Sequence, residues 1–100
     1  MKELPHEYRQ NGFTYTKVLR TGRSCIYAQH VTPKITNYEL FIPKIKPAET
    51  IMGRHYPERE IPPGNEDFGY SAWTLRTLNE AKAKLKALQK KLTGKSNLDI

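Results

Sequence analysis

The sequence predicts an α+β fold: a three- to four-stranded antiparallel meander with one C-terminal amphipathic helix packed on one of its faces. Three observations predict it. Runs rich in aromatic and β-branched residues, separated by glycine and proline, fill residues 13–42; five of the seven prolines then crowd into residues 43–69; and a capping signal at Thr77 opens an apolar stripe with helical spacing. Strands joined by connections of a few residues pair antiparallel, because a parallel pair needs a long crossover, and a lone helix buries its apolar stripe on the sheet beside it.

The elements follow in order. Residues 1–11 read as a polar leader. Phe13-Thr14-Tyr15-Thr16-Lys17-Val18-Leu19-Arg20 is a first strand, bounded by Gly12 and by Thr21-Gly22, and Arg23 to Val31 is a second, which makes a tight hairpin. Pro33 ends that strand. In a third run, Asn37 to Ile42, residues Tyr38, Leu40 and Ile42 alternate with Asn37, Glu39 and Phe41, and Pro43 removes a ladder donor at its end. Residues 43–69, with Pro43, Pro47, Pro57, Pro62 and Pro63, read as an irregular connection, and its aromatic residues Tyr56 and Phe68 favour order over a flexible linker. Tyr70 to Arg76 is a fourth strand. Thr77-Leu78-Asn79-Glu80 then has the form of a capping box, in which the Thr77 hydroxyl takes one free amide of the first turn and Glu80 reaches back to another. Leu78, Ala81, Leu85, Leu88 and Leu92 form the buried stripe, Lys82, Lys84, Lys86, Lys90 and Lys91 the outer face, and Gly94 the stop, with residues 95–100 as a tail.

With 100 residues, 37% of them hydrophobic, the chain is expected to form a single small domain over residues 1–100. Acids and a proline in Met1-Lys2-Glu3-Leu4-Pro5-His6-Glu7 stand where a signal peptide needs an apolar core, and Cys25 has no second cysteine to pair with, so a cytoplasmic location is expected. No apolar stretch approaches the roughly 20 residues of a membrane span. The net charge of +7 favours nucleic acid or an acidic protein surface as partner. That charge is uneven, since residues 49–76 carry more acids than bases.

Two candidate sites compete. The first is a basic sheet face, with Lys17, Arg20, Arg23, Lys34, Lys44 and Lys46 interleaved with Tyr15, Tyr27 and Tyr38, a pattern that can hold phosphates and stack bases. The same pattern also fits solvated strand ends with tyrosines in the core. The second is the proline-rich connection, where Arg54, His55, Tyr56, Glu58, Arg59, Glu60, Asn65, Glu66 and Asp67 offer a surface for a host or acidic protein. His55, Glu58, Glu60, Glu66 and Asp67 have residue types suited to acid–base work or metal binding, but their spacing matches no metal motif and no third group orients a base. No catalytic residue, metal or cofactor is expected, and the chain reads as a non-enzymatic binding protein.

The segment Tyr56-Pro57, Glu58 to Glu60, Asn65-Glu66-Asp67-Phe68-Gly69 and Ala72-Trp73 resembles a family of short uncharacterised phage and prophage proteins, over about residues 37–90. The resemblance implies a phage or mobile-element origin and brings no chemistry with it. In element order alone, a three-stranded sheet followed by one helix is similar to the arm-binding domains of tyrosine integrases and to plant ethylene-response-factor domains, which lay the sheet in the major groove.

Overall fold

A computed structural model describes the backbone of residues 1–97 and the side chains of residues 1–90. The expected α+β architecture is present, and the sheet is larger than the sequence suggests. Five antiparallel strands run in the order β1(Glu7–Gln10), β2(Phe13–Thr21), β3(Ser24–Thr32), β4(Ile35–Phe41) and, beside β4, the later strand Ala72–Leu75. The leader therefore holds a strand. Asn11 and Gly12 both have positive φ, 53° and 84°, so the two residues between Gln10 and Phe13 form a tight turn whose twist suits antiparallel neighbours.

Residues 43–69 are also more regular than their prolines imply. β5(Lys44–Lys46) pairs with β8(Arg59–Ile61), and β6(Glu49–Ile51) pairs with β7(Arg54–Tyr56). Both ladders keep a single register, with Lys44 opposite Ile61 and Ile51 opposite Arg54, so together they form one hairpin arm interrupted where Pro47 and Pro57 supply no donor. The strand Ala72–Leu75 is β9, preceded by a 3₁₀ turn at Asn65–Asp67.

Both faces of the sheet are covered. On one, Tyr15, Cys25, Tyr27, Phe41 and Ala72 pack with Leu4, and with Tyr8, Phe13 and Phe68 at the margin. On the other, Ile26 and Leu40 receive Ala81 and Leu85 of helix α1(Leu78–Asn97), flanked by Leu19, Tyr38, Trp73, Leu75, Leu78 and Leu88. A one-residue irregularity at Val18 makes both clusters possible: Lys17 pairs with Tyr27 but Leu19 pairs with Ile26, so the bulge turns Leu19 toward the helix and Arg20 toward Cys25 on the opposite face.

The helix departs from expectation at both ends. The Thr77 oxygen accepts from the Glu80 amide at 3.1 Å as expected, but the Glu80 carboxylate accepts from the Thr77 hydroxyl at 3.1 Å, in place of the reciprocal bond to the Thr77 amide. Gly94 does not stop the helix, which continues to Asn97, because one glycine inside a helix costs only about 1 kcal/mol. The expected tail thus begins inside the helix; residues 98–100, and the side chains of Lys91 and Leu92, lie outside the described residues. Among the described residues no helix is long and apolar enough to cross a membrane.

Candidate functional site

The six cations expected on a sheet face do not share one. Arg23 and Lys34 lie in turns at opposite ends of β3, Lys44 and Lys46 lie on β5 of the arm, and Lys17 and Arg20 alone lie on a strand of the five-stranded sheet. Of the three rings between them, Tyr38 is half-buried against the helix cluster and the other two are closed to stacking. Tyr15 and Tyr27 are buried, and the Tyr27 hydroxyl donates to the Pro5 carbonyl at 2.6 Å.

Most of these cations are occupied within the chain. Arg20 makes a bidentate pair with the Glu60 carboxylate at 2.6 and 2.7 Å, and its Nε donates to the Gly22 carbonyl at 2.9 Å. The Glu60 side chain has no solvent exposure and also accepts from the Leu4 amide at 3.1 Å. Arg20 holds that carboxyl below its ordinary range, and Glu60 in turn raises the guanidinium's pKa. Two charge-assisted bonds in parallel lock a fork geometry, so this pair ties the arm to the β2–β3 hairpin. The arm root has further ties: Glu60 donates its amide to the Lys2 carbonyl at 2.8 Å, Arg23 donates to the Pro43 carbonyl at 3.1 Å, and Lys44 lies 3.0 Å from Glu66 and 3.4 Å from Asp67. Asp67 also accepts from the Gly64 amide at 2.8 Å, closing the 3₁₀ turn.

Beyond the two prolines the arm is open. Lys46 and Arg59 both approach Glu49, at 3.5 and 3.4 Å, and the Arg59 guanidinium lies over the Tyr56 ring, which stiffens the kink. Glu58, Arg54 and His55 are exposed, as is Asn65 in the 3₁₀ turn. At the tip, Met52 is wholly exposed and has a φ of 52°, a conformation that a residue with a Cβ adopts at a cost. Met52→Gly is expected to stabilise the chain by roughly 0.5–1 kcal/mol in urea denaturation, because glycine accepts this conformation freely; an unchanged midpoint would mean that the tip stores no strain.

Of the six, Lys17 and Lys34 have no ion pair among the described residues, and a further set of unpaired cations lies on the helix. Lys82, Lys86 and Lys90 are exposed at spacings of four residues, and none has an ion pair among the described residues. Four residues rise about 6 Å, so the three ammonium groups form a row along one helix face. Lys84 turns to the other flank, with its Nζ 5.0 Å from the centre of the Trp73 ring, which leaves Trp73 half-buried beneath helix and lysine. In the sequence these lysines read as the solvated face of an amphipathic helix. Their lack of acidic neighbours was legible there.

One feature of the sheet went unread in the sequence. Glu39 is 4% exposed on β4, and burial pushes its carboxyl up to about 7 while a hydrogen bond from the Tyr15 hydroxyl opposes the shift. It lines a cavity of about 160 Å³ together with Gln10, Phe13, Tyr15, Gln29 and Phe68. The Tyr8 ring stacks on Tyr15 with centroids 4.8 Å apart, and its hydroxyl is buried without a hydrogen-bond partner among the described residues.

The residues weighed for acid–base or metal chemistry are dispersed: His55 stands near the arm tip, Glu60 at its root on Arg20, and Glu66 and Asp67 on Lys44. No group of three or more histidine, cysteine, aspartate or glutamate side chains placed to hold a metal occurs among the described residues. No protein-family model matches the chain, and no curated protein or solved structure is detectably similar to it.

Proposed function

We propose that this chain is a non-enzymatic nucleic-acid-binding protein of the phage or mobile-element type that its sequence resembles, and that it meets the phosphate backbone with its helix. The Lys82, Lys86 and Lys90 row carries the reading. Like charges four residues apart destabilise a helix by a few tenths of a kcal/mol per pair, and exchanging one lysine for glutamate would turn that cost into a gain. A row of cations kept without acidic neighbours suits a polyanion that neutralises all three at once, with release of its counterions. The net charge of +7 adds long-range attraction.

Fluorescence anisotropy against duplex and single-stranded DNA and RNA, at low and physiological salt, tests the reading. For duplex, Lys82→Gln, Lys86→Gln and Lys90→Gln together are expected to weaken binding and to reduce the log–log salt slope by up to about 0.9 per lysine. Lys17→Gln with Lys34→Gln is expected to change little. Native-like binding by the triple variant, or no binding of the native chain at physiological salt, would refute it.

A second reading is favoured by the arm tip. Ile45, Ile51 and Met52 are all exposed on a ribbon whose root is tied down, and apolar side chains presented in this way suit a protein surface better than a phosphate chain. On that reading the arm, with Ile45, Ile51 and Met52 beside the exposed Arg54, His55 and Glu58, engages a host protein.

A further inference from the structure

We propose that the cavity beneath the β1–β2 turn is a binding pocket for a guanidinium group, with the Glu39 carboxylate as its counter-ion. Its lining has the chemistry of such a site and little else to do. Glu39, Gln10 and Gln29 give it a mainly polar wall, beside Phe13, Tyr15 and Phe68, around a space of about 160 Å³. A cavity of this size accommodates a ring as large as benzene, so the planar head of an arginine side chain fits. Guanidinium stacks on aromatic faces and donates in a fork to a carboxylate, a combination that suits it better than a compact ammonium.

The acceptors are in place. The Gln10 amide nitrogen donates to the Pro63 carbonyl at 3.3 Å, which leaves its oxygen as an acceptor, and the Gln29 nitrogen donates to the Tyr15 hydroxyl at 2.9 Å. That second bond fixes the Tyr15 hydroxyl in the cavity wall that Glu39 also lines. Pro63 is buried and anchors the wall that comes from the connection, so the pocket joins two segments distant in sequence. Among the described residues no cation is paired with Glu39: the titratable groups facing it are the hydroxyls of Tyr15 and Tyr8, and no ion pair includes it. A buried carboxyl without a cation is costly, and glutamine would fill the same space without a charge. A ligand that brings a positive charge offsets the cost of placing a glutamate here.

The guanidinium has two sources, a free small molecule or an arginine side chain of a partner polypeptide. Isothermal titration of the full chain at pH 8 with methylguanidinium, and with an acetyl-Gly-Arg-Gly amide peptide, separates them. Methylurea and the corresponding citrulline peptide serve as neutral controls of nearly the same shape. Both cations are expected to bind and both neutral analogues to fail. Tighter binding of the peptide would assign the pocket to a partner's arginine, and equal or tighter binding of methylguanidinium to a free ligand. Glu39→Gln is expected to weaken either by about thirtyfold, the loss typical when one partner of a buried charge pair is removed. Gln10→Met, which keeps the volume and removes the free amide oxygen, is expected to weaken binding while leaving the carboxylate in place. The proposal is overturned if methylguanidinium and the arginine peptide both fail to bind, if the urea analogues bind as well, or if Glu39→Gln binds like the native chain.

Discussion

Glu39→Gln is expected to make the protein more stable at pH 8, by about 3 kcal/mol, and to change its stability little at pH 4. The carboxyl titrates at about 7 in the folded chain against an ordinary 4.5, and each unit corresponds to about 1.4 kcal/mol. The sign follows from proton counting. Between those two values the unfolded chain has lost the proton while the folded chain keeps it, so stability falls as pH rises through the window and stays at the lower level above about 7. Glutamine has no proton to lose, so the variant lacks this slope. Glu60 works in the opposite sense in a separate range: its carboxyl is held below 4.5 by Arg20, so the stability it contributes is present above 4.5 and is lost as pH falls further. Urea midpoints of both proteins at intervals from pH 4 to 8 measure the effect. Parallel curves over the whole range would show that Glu39 is not desolvated in the folded chain.

Removing the Arg20 guanidinium is the most damaging single change expected outside the apolar core. Arg20→Met leaves the fully buried Glu60 carboxylate facing an apolar side chain, and breaking a buried pair in this way costs about 3–5 kcal/mol. Arg20→Met combined with Glu60→Met is expected to recover most of that loss, because two well-packed apolar groups avoid the desolvation of either charge. The recovery is measured as the coupling energy of the double-mutant cycle. A loss under about 1 kcal/mol for the single change would mean that water reaches Glu60 and that the arm is not held by this pair. Charge reversal at Arg20 therefore reports on folding, not on phosphate contact.

Much of the fold was legible in the sequence because its causes are local. The β2–β3–β4 meander, the fourth strand before Thr77 and the leucine stripe of α1 each depend on the spacing of apolar residues and on the turn residues beside them. Two local signals were present and went unused. Asn11-Gly12 is a strong hairpin signal, obscured because Glu7-Tyr8-Arg9-Gln10 is too polar to look like a strand; as an edge strand it needs only Tyr8 to face the core. In the arm, the pairing of β6 with β7 was hidden by Met52, which is not a residue that turns of positive φ usually take.

The remainder depended on which distant segment arrives at which face. The order of the main strands, the helix and its buried stripe follow from local signals, since periodicity and capping act within a few residues. Long-range packing buries β4 on both faces, which makes Glu39 a carboxyl in a pocket. It decides as well, through the bulge at Val18, that Arg20 faces Glu60 across forty residues of sequence. The physical reason is the same in each case. Burial and ion pairing are fixed by groups brought together from far along the chain, and a residue's own neighbours carry no record of them.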